Sequence, residues 1–355
     1  MSWWLKYAAQ GASRLVAACR PSDALAKTFL TTAVLTTLLS APGYAADKSV
    51  ATSAIREPLP LNLDVRDPRF HRLVPATSQL EKVAAGFAFI EGPVWRGDHL
   101  LFSDIPANRI YRWSPNRVTI EVDPVHDPSD VTGAQGGSNG LIEDQDGALL
   151  MFLHGLRRID RIANGVRTVV ADEWNGKLLN SPNDGVLHSS GALFFTDPPY
   201  GLPQQDADPA KEISGNGVYR LDPDGRVTQL TTMHRPNGIG LSPDEQTLYV
   251  ASSDKEEKWW LKFPIKPDRS LGPGSLHFDA RGLTDPGVPD GFVVDQHGNI
   301  WASGPGGVVV IAPDGTHLGT ILTPEQPANT TFGQDEHSLF ITARTGLYRL
   351  HRTRQ

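Results

Sequence analysis

A repeat constrains this chain more than any other feature. From Glu91 onward, six segments open on a small polar or acidic residue and continue into a short β-type stretch. They are Glu91-Gly-Pro-Val-Trp, Asn139-Gly-Leu-Ile, Asn183-Asp-Gly-Val-Leu, Asn237-Gly-Ile-Gly-Leu, Asp290-Gly-Phe-Val-Val and, more weakly, Asn329-Thr-Thr-Phe, at intervals of 48, 44, 54, 53 and 39 residues. Turn signals such as Asp146-Gly147, Ser190-Gly191, Asp244-Glu245 and His297-Gly298 follow. A dense β-type run comes next, for example HLLFSD from His99, ALFFTD from Ala192 and SLFITA from Ser338. Each unit then adds a stretch in which apolar and polar residues alternate, as in RIYRWS from Arg109 and GLYRLH from Gly346. Alternation with period two marks a strand with one buried face.

Three to four antiparallel strands per unit, at forty-odd residues per unit, is the pattern of a β-propeller blade. The expected fold is therefore all-β, a six-bladed β-propeller with a metal site on its axis. No helical periodicity of usable length follows residue 45, which argues against barrels and doubly wound sheets. The last unit ends without an obvious fourth strand, and Gln79 to Ala84 (QLEKVA) is expected to supply it and close the ring. A length of 355 residues allows two or three domains, but the repeat assigns 79–355 to one ring and leaves 46–78 as an outer arm.

Residues 1–45 differ from the rest. Lys6, Arg14, Arg20 and Lys27 face only Asp23 there, so the formal charge of −7 for the chain becomes −10 over 46–355. The apolar stretch Thr28 to Leu39 and the small residues up to Ala45 give the pattern of a secretory signal peptide cleaved after Ala45. A periplasmic or secreted protein with no stable membrane partner is expected. The alternatives are an uncleaved anchor in the inner membrane and a lipid on Cys19 in Val-Ala-Ala-Cys19. Cys19 is the only cysteine, so the processed chain would have no thiol chemistry and no disulfide. No basic block rises above the acidic background, which excludes a nucleic-acid partner.

In a propeller the first strand of each blade runs beside the central channel, so register-matched residues meet on one axis. Here the set is Glu91, Asn139, Asn183, Asn237, Asp290 and Asn329. Two carboxylates with amide oxygens suit a hard cation such as Ca²⁺, and a bare Glu–Asp pair in a narrow channel repels itself. The competing reading is that Asn-Gly and Asp-Gly are turn dipeptides tolerant of left-handed backbone.

Several of these segments carry a family resemblance. Glu91-Gly-Pro-Val-Trp95, Ser138-Asn-Gly-Leu141, Asn180-Ser-Pro-Asn-Asp-Gly185 with Phe195-Thr-Asp-Pro-Pro-Tyr-Gly201, Arg235-Pro-Asn-Gly238 with Leu241-Ser-Pro-Asp244, and Pro289-Asp-Gly291 with Asn299-Ile-Trp301 resemble the SMP-30/gluconolactonase/LRE-like propellers, and among them the bacterial gluconolactonases. The resemblance implies that Glu91, Asn183, Asn237 and Asp290 bind one divalent cation, Ca²⁺ first, with Zn²⁺, Mn²⁺ or Mg²⁺ as alternatives. It also implies that Asp290 is the general base of a carboxylic-ester hydrolase acting on a small aldonolactone such as glucono-1,5-lactone. Ser181 stands where animal members place an arginine, so that arginine's substrate contacts do not transfer.

Around this set, Asn139 and His154 are candidates for contact with substrate hydroxyls, with strand capping as the alternative for His154. Asp197 is expected to orient a cation-ligating side chain from behind, and Trp95 to pack within its blade. An organophosphate or aryl-ester hydrolase on the same propeller and a non-catalytic calcium-binding propeller are the competing functions, since fold alone does not choose among them.

Overall fold

The computed structural model describes residues 52–53, 55–115, 117–131 and 136–352, and the expectations for the signal segment and Cys19 lie outside them. Among the described residues, six antiparallel sheets of four or five strands each begin at the axis, and Glu173–Trp174 with Lys177–Leu178 form a separate two-stranded hairpin. The first strands are Ile90–Arg96, Ser138–Glu143, Gly185–Leu187, Pro236–Leu241, Phe292–Val294 and Asn329–Phe332, and blades 1 to 6 follow in that order. The expected all-β six-bladed propeller is therefore the observed fold.

Blade 6 is completed from the opposite end of the sequence. Gln79–Ala85 pairs antiparallel with Gly346–His351, so the ring is closed by strand pairing between its two ends. Segments of the preceding stretch add outermost strands to three blades: Thr52–Ser53 to blade 1, Glu57–Leu59 to blade 6 and Asn62–Val65 to blade 5. Fourth strands Ser275–Asp279 and His317–Leu322 complete blades 4 and 5. Their alternation is too weak to read from the sequence. Helix is limited, among the described residues, to Phe70–Leu73 and three short 3₁₀ turns.

Local chemistry explains the hairpins. Asn164 and Gly165 both take positive φ (51° and 75°) between Arg158–Ala163 and Val166–Ala171, the arrangement that a tight two-residue hairpin demands. In the Asp144–Gly147 turn the Asp144 carboxylate accepts the backbone N–H of Asp146 and Ala148, both at 2.9 Å. Asp295 does the same for His297 and Asn299.

Apolar layers between neighbouring blades form the core. Leu101, Ile110, Leu149, Met151 and Leu153 lie between blades 1 and 2. Phe194, Val218, Leu248, Val250 and Phe263 fill the space between blades 3 and 4, and Trp301, Val308, Val310, Leu339, Ile341 and Leu350 between blades 5 and 6. Trp95 stacks on Phe340, with ring centres 5.4 Å apart, so it ties blade 1 to blade 6.

Candidate active site

The residue–glycine pairs at the blade heads are not turns. Gly140, Gly238 and Gly291 have ordinary negative φ, and only Gly92 among the axial pairs is left-handed (φ 53°). Their common cause is close approach. A Cβ on Gly92 would lie 2.0 Å from the Asn139 carbonyl oxygen, one on Gly140 2.6 Å from that of Asn183, and one on Gly238 2.4 Å from that of Asp290. Each glycine makes room for the head of the next blade, so the inner strands crowd the axis and their preceding side chains converge.

Hydroxyls from second strands hold the head carbonyls. Ser103 Oγ donates to Asn139 O at 2.8 Å, and Thr196 Oγ1 to Asn237 O at 2.8 Å. Thr342 Oγ1 donates to Asn329 O at 3.2 Å. Ser253 Oγ donates to Pro289 O at 2.6 Å and accepts the Asn237 amide N–H at 2.9 Å, which joins two heads of the expected set.

Electrostatically, the axis is out of balance. Burial pushes Glu91 well above the usual carboxylate range, and the Asp184 charge adds to this. Burial raises Asp290 too, followed by repulsion from Glu91 and Asp184. Burial moves Asp184 to about 7. Glu91 and Asp184 are buried side chains. Asp290 is half-buried as a residue, although its Oδ1 is inaccessible and has no hydrogen-bond partner. Among the described residues, no arginine or lysine helps to hold any of these three carboxylates.

Asp184 was not among the expected site residues, yet its charge acts on both Glu91 and Asp290. The signal was in the sequence. Asp184 precedes Gly185 as Asn139 precedes Gly140 and Asp290 precedes Gly291, and blade 3 carries one extra residue, so that both Asn183 and Asp184 reach the head. Beyond the heads the channel widens into a cavity of about 400 Å³ whose wall includes Asp184, Asn329, Val94, Leu141 and Leu187. Asn329 presents its amide N–H to Asp184 Oδ2 (3.4 Å) while its Oδ1 accepts Thr330 N–H at 2.8 Å. Its oxygen is thus engaged locally.

Other expected residues fall in different roles. His154 is 1% exposed and stands behind the heads, its Nε2 3.2 Å from the Asn139 amide nitrogen and 3.3 Å from that of Asn183. Burial lowers it to about 4, which leaves a neutral imidazole. Asp197 holds backbone rather than a ligating side chain: it accepts Asn180 N–H at 2.8 Å and Ser181 N–H at 2.7 Å, bracing the turn that delivers Asn183. Ser181 Oγ donates to Pro198 O and accepts Gly201 N–H, fastening the loop that carries Tyr200. That ring lies under the Arg235 guanidinium, 5.7 Å away.

The residues present suit a hard divalent cation. Glu91, Asp290, Asn183 and Asn237 offer oxygen donors only, the carboxylates repel one another without a counter-charge, and Asp290 Oδ1 is buried without a partner. Among the described residues no cluster of three or more His, Cys, Asp and Glu has metal-holding geometry, so amide oxygens would have to complete any such set.

Fold and site together define a class, the six-bladed propellers with an oxygen-lined axial site. The chain belongs to the SMP-30/gluconolactonase/LRE-like family, whose region matches residues 89–345. It is 38% identical over 301 residues to a gluconolactonase of Zymomonas mobilis, covering 80% of this chain and 84% of that protein. A pentonolactonase of Haloferax volcanii is 30% identical over 266 residues, 72% of this chain and 81% of its own. The solved structure of a gluconolactonase from Xanthomonas campestris superposes with a TM-score of 0.74 at 31% identity, covering 84% of this chain and 98% of that one.

Proposed function

We propose that the protein is a lactonase dependent on a divalent cation, Ca²⁺ by preference, that opens aldonolactones such as glucono-1,5-lactone to the sugar acid. It is a lactone-hydrolysing enzyme of the gluconolactonase type, and its gluconolactonase and pentonolactonase relatives support a small sugar lactone as substrate. The observation that carries the cation is the buried, unpartnered Oδ1 of Asp290 beside two further carboxylates that no basic side chain among the described residues neutralises.

Glu91, Asn183, Asn237 and Asp290 would hold the cation, which when bound polarises the lactone carbonyl and offsets negative charge developing on its oxygen. With positive charge at the axis Asp290 is ionised, since the repulsion that raised it is offset. Its carboxylate then takes a proton from water as the water oxygen bonds to the carbonyl carbon. The ring C–O bond breaks next, and the proton passes to the departing ring oxygen, giving the open hydroxy acid. Asn139, at the head of blade 2, would hydrogen-bond a substrate hydroxyl. The +3 amino-terminal segment supports export, and a mature start at Ala46 on amino-terminal sequencing is the expected outcome.

Acid release from glucono-1,5-lactone, followed with a pH indicator against pentonolactones, aryl esters and an organophosphate triester, tests the reading. Lactone turnover that Asp290→Ala removes is expected. Turnover of esters or triesters without lactones would replace it, and calcium binding without any turnover would leave a binding propeller.

A further inference from the structure

We propose that His154 is a positioning residue that fixes which end of two side-chain amides faces the axis. The inference rests on the axial cation reading for its consequence but not for its geometry. An amide side chain has two ends of similar shape and opposite hydrogen-bonding character, so a head asparagine supplies an oxygen inward only if something holds its nitrogen outward. His154 Nε2 faces the nitrogens of Asn139 (3.2 Å) and Asn183 (3.3 Å). Two amide N–H groups can meet one ring nitrogen only if that nitrogen is an acceptor, so the imidazole carries its proton on Nδ1.

The surroundings hold the ring in this position. His154 follows the strand Leu149–Leu153, and its backbone N–H is held by Gly137 O at 3.2 Å. The loop carrying Tyr200 seals it from outside. A Cβ on Gly201 would lie 2.3 Å from His154 O, and the Tyr200 ring centre stands 6.5 Å from the imidazole. His154 Nδ1 has no hydrogen-bond partner, so Nε2 alone places the ring electrostatically, and both its partners are blade heads. One histidine therefore sets the amides of two neighbouring blades, and the oxygen end of Asn183 is left for the axis.

Selective ¹⁵N-histidine NMR on the cation-free protein reads the tautomer directly. The expected result is an unprotonated Nε2 and a protonated Nδ1 for His154; a protonated Nε2 overturns the proposal whatever the protein binds. Calcium chloride titrated calorimetrically into chelator-stripped protein reads the consequence. His154→Phe keeps a ring and loses the acceptor, and its calcium affinity should fall by about 10- to 100-fold, as for residues that orient ligands from behind. His154→Gln, which restores an acceptor oxygen, should recover most of the loss and also guards against a folding defect in the Phe variant. Equal affinity in wild type and His154→Phe refutes the positioning role. A wild type that binds no cation would refute the axial cation reading, while the tautomer result would still decide the orientation.

Discussion

The seam that closes the ring and the axis that the ring encloses are both rich in charge, and they treat it in opposite ways. At the seam, Arg349 from the last strand pairs with Glu81 of the closing strand and lies over Trp113 of the next blade. Glu325 accepts from Lys82 Nζ at 3.3 Å, Tyr348 OH at 2.6 Å, Thr345 N–H at 2.9 Å and the Thr345 hydroxyl at 2.7 Å. Each seam acid thus has a cation, and Glu325 has further donors besides. At the axis Glu91, Asp184 and Asp290 have amide donors only; burial raises all three, and the Asp184 charge raises Glu91 and Asp290 further. The seam is built to hold the chain together by itself, whereas under the proposed function the axis would be completed by added positive charge. Buried carboxylates without counter-charge are unfavourable for stability, and groups perturbed in this way cluster at functional sites.

Breaking the axis should remove activity while sparing the fold. Asp290→Ala is expected to lower kcat for lactone hydrolysis by about 10³-fold, in the range of a lost general base. The cation-free variant should melt no lower than wild type, because a raised carboxylate has been deleted. Steady-state kinetics and thermal melting of the same preparation check both halves.

Loading the axis should stabilise it. Calcium at a hundred times its dissociation constant should add about 2.7 kcal/mol by mass action, read as a rise in Tm. Glu91→Gln should show little of this rise and, without calcium, should be slightly more stable than wild type. An equal calcium response in the two proteins would move the cation away from Glu91.

The seam should behave in the reverse sense. Glu325→Ala is expected to cost about 1–3 kcal/mol in urea unfolding at pH 7, since several donors lose their acceptor at once, and to leave calcium affinity unchanged. Although burial pushes Glu325 up, its bonds to Tyr348, Thr345 and Lys82 outweigh this and hold it below its usual 4.5. A carboxylate depressed in the folded state stabilises above its unfolded value and loses that contribution as pH falls. The gap between wild type and Glu325→Ala should therefore close below about pH 4.5. The smallest effect belongs to the exterior: removing the exposed Arg66–Asp64 pair with Arg66→Ala should change stability by less than about 0.5 kcal/mol.

What the sequence disclosed divides along the same line. Blade number, the first three strands of each unit and the closing strand were readable, because alternation and repeated heads are local signals. The fourth strands of blades 4 and 5 were not, since Ser275–Asp279 and His317–Leu322 gain definition from pairing rather than pattern. The outer strands at Thr52–Ser53, Glu57–Leu59 and Asn62–Val65 add to different blades, which no local periodicity encodes. At the axis, the residue–glycine pairs were visible but their cause was not: Gly238 is required by the Asp290 carbonyl of the next blade, a contact across more than fifty residues. Counting back from Gly185 would have found Asp184. The placement of His154 behind two amides depends on three segments meeting, and only the structure supplies it.

Chelator removal followed by calcium re-addition tests most directly whether the axis is the proposed cation-loaded lactonase site. Stripped protein should hydrolyse glucono-1,5-lactone at no more than the uncatalysed rate and recover on titration with calcium, in step with the calorimetric binding curve. Full turnover by stripped protein, or calcium binding that leaves turnover unchanged, would contradict the account.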